Sequence, residues 1–250
     1  MTKISIDIDQ LTKRYSTKVA VNKLSLNIEQ GEVFGFLGHN GAGKTTTIQL
    51  LTTLIAPDSG TARICGHDVV KESAQVRQKI GYVPENVRLY DTMTAYENLR
   101  FFAELSGVKK VASRIDETLE FFNSNHLADL KVGSLSKGMR QRIGLAQAIL
   151  HRPEVLFLDE PASGLDPLGI KNLRENIIRL NQTFGMTIFM NTHLISEIAK
   201  TCTSIGVLSH GQLVYQDGIE NVTKHIGDDA SLEALYMSVI PEQTEGRRPQ

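Results

Sequence analysis

A chain of 250 residues, 41% hydrophobic and 22% charged, suits one large globular domain or a domain with a small appendage, and 20 Gly with 7 Pro exclude a collagen-like or low-complexity polymer. Lys plus Arg (27) nearly cancels Asp plus Glu (28), so no global field draws the chain to nucleic acid or an anionic bilayer. Cys65 and Cys202 are too few for a disulfide framework and belong to no CxxC pair, so both are expected reduced and half-buried.

The opening Ile4, Ile6 and Ile8 alternate with Ser5 and Asp7, the period of an antiparallel strand with one dry face. That segment also lacks the apolar core of a secretory signal, and no stretch reaches the roughly 20 apolar residues of a membrane span, so a cytoplasmic protein is expected. A second strand is predicted near residues 19–28. Glu32 to Leu37 is a short apolar run of the buried-strand type, followed by a glycine-rich turn and a helix from Lys44. From about Thr94 to Asn125, Leu99, Phe102, Leu105, Ile115, Leu119 and Phe122 recur at helical spacing, which predicts a helical insertion. A helix is expected over 141–150. Two further apolar runs, Val155 to Leu158 and Thr187 to Met190, end in Asp159-Glu160 and Asn191-Thr192-His193. His210-Gly211-Gln212 reads as a hairpin turn; two short helical pieces and a frayed polar tail, Glu242 to Gln250, close the chain.

Open parallel sheets hold ligands outside the carboxyl ends of their strands, so the three polar endings are expected to converge on one phosphate pocket. Gly38-His39-Asn40-Gly41-Ala42-Gly43-Lys44-Thr45 fits the phosphate-loop pattern between a strand and a helix. Its glycines let amide N–H groups turn inward, Lys44 can reach the β- and γ-phosphates, and the Thr45 hydroxyl can ligate Mg²⁺. Asp159 suits a second metal-holding carboxylate, and Glu160 can orient or deprotonate water; alone, such a pair can equally be a strand end meeting solvent. Ser136 is a natural N-cap, and with the Gly138 N–H it offers either a plain helix start or a second anion site. Seven His and six Met show no spacing that would build a metal cage, so no dedicated transition-metal site is expected.

In this order the motifs resemble those of the ATP-binding cassette (ABC) ATPases, from about residue 15 to 193. The resemblance implies an α/β P-loop NTPase fold, an ABC nucleotide-binding domain with a mostly parallel core sheet, an antiparallel β subdomain and a helical insertion. It places the ATPase domain at 1–218, with its helical subdomain at about 86–140, and a helical extension and tail at 219–250. It assigns Tyr15 to adenine stacking, a surface tyrosine being the other reading, and Thr46 to the nucleotide. Glu85 falls where many relatives carry the Gln of the Q-loop, near Mg²⁺ and water. Lys137 and Met139 depart from the LSGGQ signature, while Ser136 and Gly138 keep its phosphate-facing pair. Ser163-Gly164-Leu165-Asp166 matches the D-loop and His193 the γ-phosphate switch histidine.

The same resemblance implies ATP and Mg²⁺ as ligands, hydrolysis with Glu160 as base, and an ATP-sandwich homodimer in which Ser136 of one copy faces Lys44 of the other. It implies a separate integral membrane permease, met near residues 85–98 with Tyr90 and Met93 as contacts or as core, and a place on the inner face of the cell membrane. More narrowly, segments 38–45, 84–87, 136–142 and 231–236 are similar to the ABC-2 exporter group and, within it, to ATPases of the copper-processing transporters that mature nitrous-oxide reductase. That reading would add a periplasmic accessory protein; a nucleic-acid partner is expected under none of these transport readings. A drug or polysaccharide exporter ATPase and a non-transport ABC ATPase are the alternatives.

Overall fold

Two sheets carry the molecule in a computed structural model that describes residues 3–226 and 230–239, the side chains of 223–232 excepted. The first sheet joins β1 (Ile4–Tyr15), β2 (Lys18–Glu29), β4 (Ser59–Ile64) and β5 (His67–Asp68), all antiparallel, in the order β2-β1-β4-β5. Ile6 and Ile8 are buried as their alternation requires, and an irregularity between Ile8 and Leu11 turns Leu11 inward in place of the exposed Gln10. Ile4 is not: a register irregularity between Ile4 and Ile6 leaves it 38% exposed, while Ser5 turns inward to accept a hydrogen bond from the Thr187 hydroxyl.

The second sheet has the order β10-β9-β3-β8-β7-β6. Its members are β3 (Val33–Leu37), β6 (Ile80–Val83), β7 (Val155–Asp159), β8 (Thr187–Thr192), β9 (Ser204–Ser209) and β10 (Gln212–Gly218). Every pairing is parallel except the β9–β10 hairpin, which turns at His210-Gly211 and takes Gln212 into its second strand. β3, β7 and β8 are buried along their whole length, as expected of strands covered on both faces. One face packs on the antiparallel sheet and α1 (Lys44–Leu51) through Phe34, Phe36, Phe157 and Phe189; the other packs on helices. The ring of Phe189 lies 5.2–5.6 Å from the other three, an aromatic cluster that fixes the two layers.

The insertion contains α3 (Ala95–Leu105) and α4 (Val111–Phe121), after α2 (Ser73–Lys79). α3 begins in a capping box: Thr94 accepts from the Glu97 N–H, and Glu97 reaches back to the Thr94 N–H. Leu99, Ile115, Leu119 and Phe122 are buried and Phe102 packs against the core. Leu105 was expected on the same face but is 73% exposed, because it is the last residue of α3 and the chain turns away at Ser106. α5 (Lys137–Ile149) starts before Gln141, since Ser136 caps it, and α6 (Pro167–Phe184) and α7 (Ile195–Thr201) follow β7 and β8. α8 (Ile219–Ile226) and α9 (Ala230–Val239) account for the two helical pieces; the tail from Glu242 lies outside the described residues. Both cysteines are free, but Cys202 is fully buried rather than half-buried, and burial holds its thiol far above its ordinary pKa.

Candidate active site

The parallel register sets the geometry. Leu37 pairs with Thr192 and Asp159 with Asn191, so β3, β7 and β8 end level with one another and their polar termini share one rim. Between β3 and α1 the loop can curl only with glycine. Gly43 has φ 111°, and a Cβ there would lie 2.1 Å from the Ala20 carbonyl oxygen.

Lys44 is 6% exposed; its Nζ donates to the Gly38 carbonyl at 2.6 Å and stands 3.3 Å from Glu160 Oε1. The Thr45 hydroxyl donates to Asp159 Oδ1 at 3.0 Å, and Asn191 Nδ2 donates to the same oxygen at 2.6 Å. Burial raises the Asp159 pKa and the neighbouring Glu160 and Glu85 charges add to it, while the bonds from Asn191 and Thr45 oppose the rise. Glu160 sits at φ 45°, with its N–H donating to Asn191 Oδ1 at 2.6 Å, which aims the carboxylate across the rim. There Glu160 Oε2 lies 2.8 Å from His193 Nδ1. Glu85 follows β6, is exposed, and accepts from the Ser163 hydroxyl at 3.1 Å.

Lys44, Thr45, Glu85, Glu160 and His193 line one cleft of about 510 Å³ together with Tyr15 and Lys18, while Asp159 is buried beside it against Thr45. Tyr15 is 45% exposed, with Lys13 Nζ 5.7 Å from its ring centre. His39, Asn40, Gly41, Gly43 and Thr46 also face the cleft, whereas Ala42 is buried behind the loop. The Asp159 carboxylate, the Thr45 hydroxyl and the Glu85 carboxylate are hard oxygen donors beside one buried ammonium, a donor set that fits Mg²⁺ rather than a soft metal.

Ser136, Gly138 and Asp166 are not in this cleft. They line a separate pocket of about 180 Å³, where the Ser136 hydroxyl accepts from the Met139 N–H and Asp166 caps α6 by accepting from the Gly169 N–H. Two residues that shape the site escaped the sequence reading. Asn191, read only as the polar end of an apolar run, bridges Asp159 at the end of β7 and Glu160 just after it, and Lys18 at the start of β2 donates to the Gly41 carbonyl at 3.3 Å.

Residues 21–163 match the family model described as ABC transporter. The chain belongs to that family. The bacitracin transport ATP-binding protein BcrA of Bacillus licheniformis is 41% identical over 219 residues, covering 88% of this chain and 71% of BcrA. Among solved structures, cbiO1 of Clostridium perfringens, part of the ABC transporter complex cbiONQ, superposes with TM-score 0.81 at 27% identity, covering 90% of this chain and 92% of that one. A dimeric ABC transporter cassette gives TM-score 0.77 at 25% identity over 86% of this chain and 98% of its own. This ABC protein is therefore an ATPase and the ATP-binding subunit of an ABC transporter, with the nucleotide-binding-domain fold. No helix among the described residues is long and apolar enough to cross a membrane.

Proposed function

We propose that the chain works as one half of an ATP-driven clamp that powers a separate integral membrane permease of the ABC-2 exporter type from the inner face of the cell membrane. The observation that carries this reading is the split between Lys44, Thr45, Glu160 and His193 in one cleft, with Asp159 bonded to Thr45 behind it, and Ser136 and Gly138 in another pocket. A second copy, related by a two-fold axis, would bring its Ser136 helix end onto the nucleotide gripped by the first, and reciprocally. The ATPase domain is taken as 1–218, with 86–140 as its helical subdomain.

In the closed pair the phosphates lie on the amides of the loop, and Lys44 leaves the Gly38 carbonyl for the β- and γ-phosphates. Tyr15 stacks on the adenine. Thr45 and Asp159, with Glu85 nearby, would hold Mg²⁺, which when bound would supply positive charge to offset that of the phosphates. Glu160 takes a proton from water as the water oxygen bonds to the γ-phosphorus and the bond to the ADP oxygen breaks; His193 and Lys44 stabilise the charge gathering on the γ-oxygens. Loss of the γ-phosphate removes the bridge between copies, and the clamp opens.

Cargo is recognised by the permease. BcrA is named for bacitracin transport, which favours export of a small organic compound. The copper-handling alternative, with its periplasmic accessory protein, is supported by four short segments that other exporter ATPases share in part. Steady-state phosphate release tests the catalytic reading: Glu160→Gln is expected to slow turnover by about 10²–10⁴, and wild-type turnover in that variant would remove Glu160 from the mechanism.

A further inference from the structure

No group of three or more His, Cys, Asp or Glu among the described residues is arranged to hold a metal ion. Two histidines nevertheless meet beside the phosphate loop. His39 belongs to the loop and His210 to the β9–β10 turn, and their ring centres are 5.3 Å apart with planes inclined at 60°. The backbone fastens the two segments: the Gly211 N–H donates to the Ala42 carbonyl at 2.9 Å, and the Gly211 carbonyl accepts from the Asn22 N–H at 2.8 Å.

His39 Nδ1 lies 2.9 Å from the Asn40 carbonyl oxygen. A carbonyl only accepts, so in the neutral ring Nδ1 carries the proton and Nε2 the lone pair. That Nε2 is buried and has no hydrogen-bond partner. Buried polar atoms are nearly always paired, and an unpaired imidazole nitrogen is the donor that a transition metal takes. The spacing agrees. A metal about 2.0–2.1 Å from an imidazole nitrogen stands about 3.2 Å from the ring centre, and two such arms at a tetrahedral angle put the centres about 5.2 Å apart.

We propose that His39 and His210 form a bis-imidazole site for a borderline divalent ion of the zinc class, with water completing the coordination. The bound ion would pin the phosphate loop to the hairpin turn and slow ATP turnover. Nitrogen ligands separate this site from the oxygen donors around Asp159.

The test pairs calorimetric titration of Zn²⁺ into the nucleotide-free protein with steady-state ATPase at excess Mg²⁺, using wild type, His39→Asn and His210→Asn. His210 is exposed and at φ 49°, a left-handed conformation that Asn accepts. His210→Asn should keep the zinc-free turnover of the wild type, which also reports that it folds. Both variants should lose Zn²⁺ affinity by at least about tenfold, and Zn²⁺ should slow the wild type but not His210→Asn. Equal Zn²⁺ affinity in wild type and His210→Asn overturns the site; Zn²⁺ uptake through both histidines with no slowing overturns the pinning. Zn²⁺ uptake is read without nucleotide, so its outcome is separate from that of the catalytic reading.

Discussion

Asn191 organises the acids of the cleft. One side-chain amide donates to Asp159 and accepts from the Glu160 N–H, while remaining fully buried on β8 between β3 and β7. Removing its side chain leaves the Glu160 N–H with only the longer contact to the Asn191 carbonyl at 3.2 Å and Asp159 with the Thr45 hydroxyl alone, and the lost bond to the carboxylate costs about 1–3 kcal/mol. Asn191→Ala is therefore expected to lower stability by that order, read by chemical denaturation, and to lower kcat more than it raises KM for ATP, because Glu160 loses its aim while the phosphate loop is intact. Equal losses in Asn191→Ala and in an unrelated core variant of matched stability would reduce Asn191 to a packing residue. The phosphate loop was legible because glycine spacing and Lys44 form a contiguous pattern. Asn191 was not, since its partners lie some 30 residues away and only the register of β7 with β8 brings them together. His39 and His210 were hidden for the same reason.

Element by element, legibility followed burial. β3, β7 and β8 announce themselves as unbroken apolar runs because both faces are covered. β6, only Ile80–Val83 with a glycine and a tyrosine inside it, and β4, mostly exposed, carry no comparable signal and are strands through their neighbours. How α5 joins the sheet makes a further prediction. His151, just past its end, donates from Nε2 to the Ile80 carbonyl at 2.9 Å, tying the helix to the start of β6. Burial lowers the pKa of this histidine below its ordinary 6.5. The unfolded chain then binds the proton more readily than the folded one, so this contribution is complete above pH 6.5 and is lost as pH falls through the lowered value. His151→Gln should show a smaller loss of stability than wild type between neutral and mildly acidic pH in urea unfolding; parallel losses would show that His151 does not titrate in this window.

At the scale of the molecule, the candidate nucleotide contacts fall in two separate pockets. The cleft at the strand ends collects Lys44, Glu160 and His193, and the pocket between α5 and α6 collects Ser136, Gly138 and Asp166. Neither completes the other within one chain, so the account requires a pair of chains with nucleotide between them. The direct measurement is the solution mass of Glu160→Gln by light scattering, with and without ATP and Mg²⁺. Monomers are expected without nucleotide and a doubling of mass when ATP is added, reversed when Lys44→Ala is introduced into the same chain. A mass that stays monomeric at saturating ATP, with binding verified by calorimetry, would contradict it.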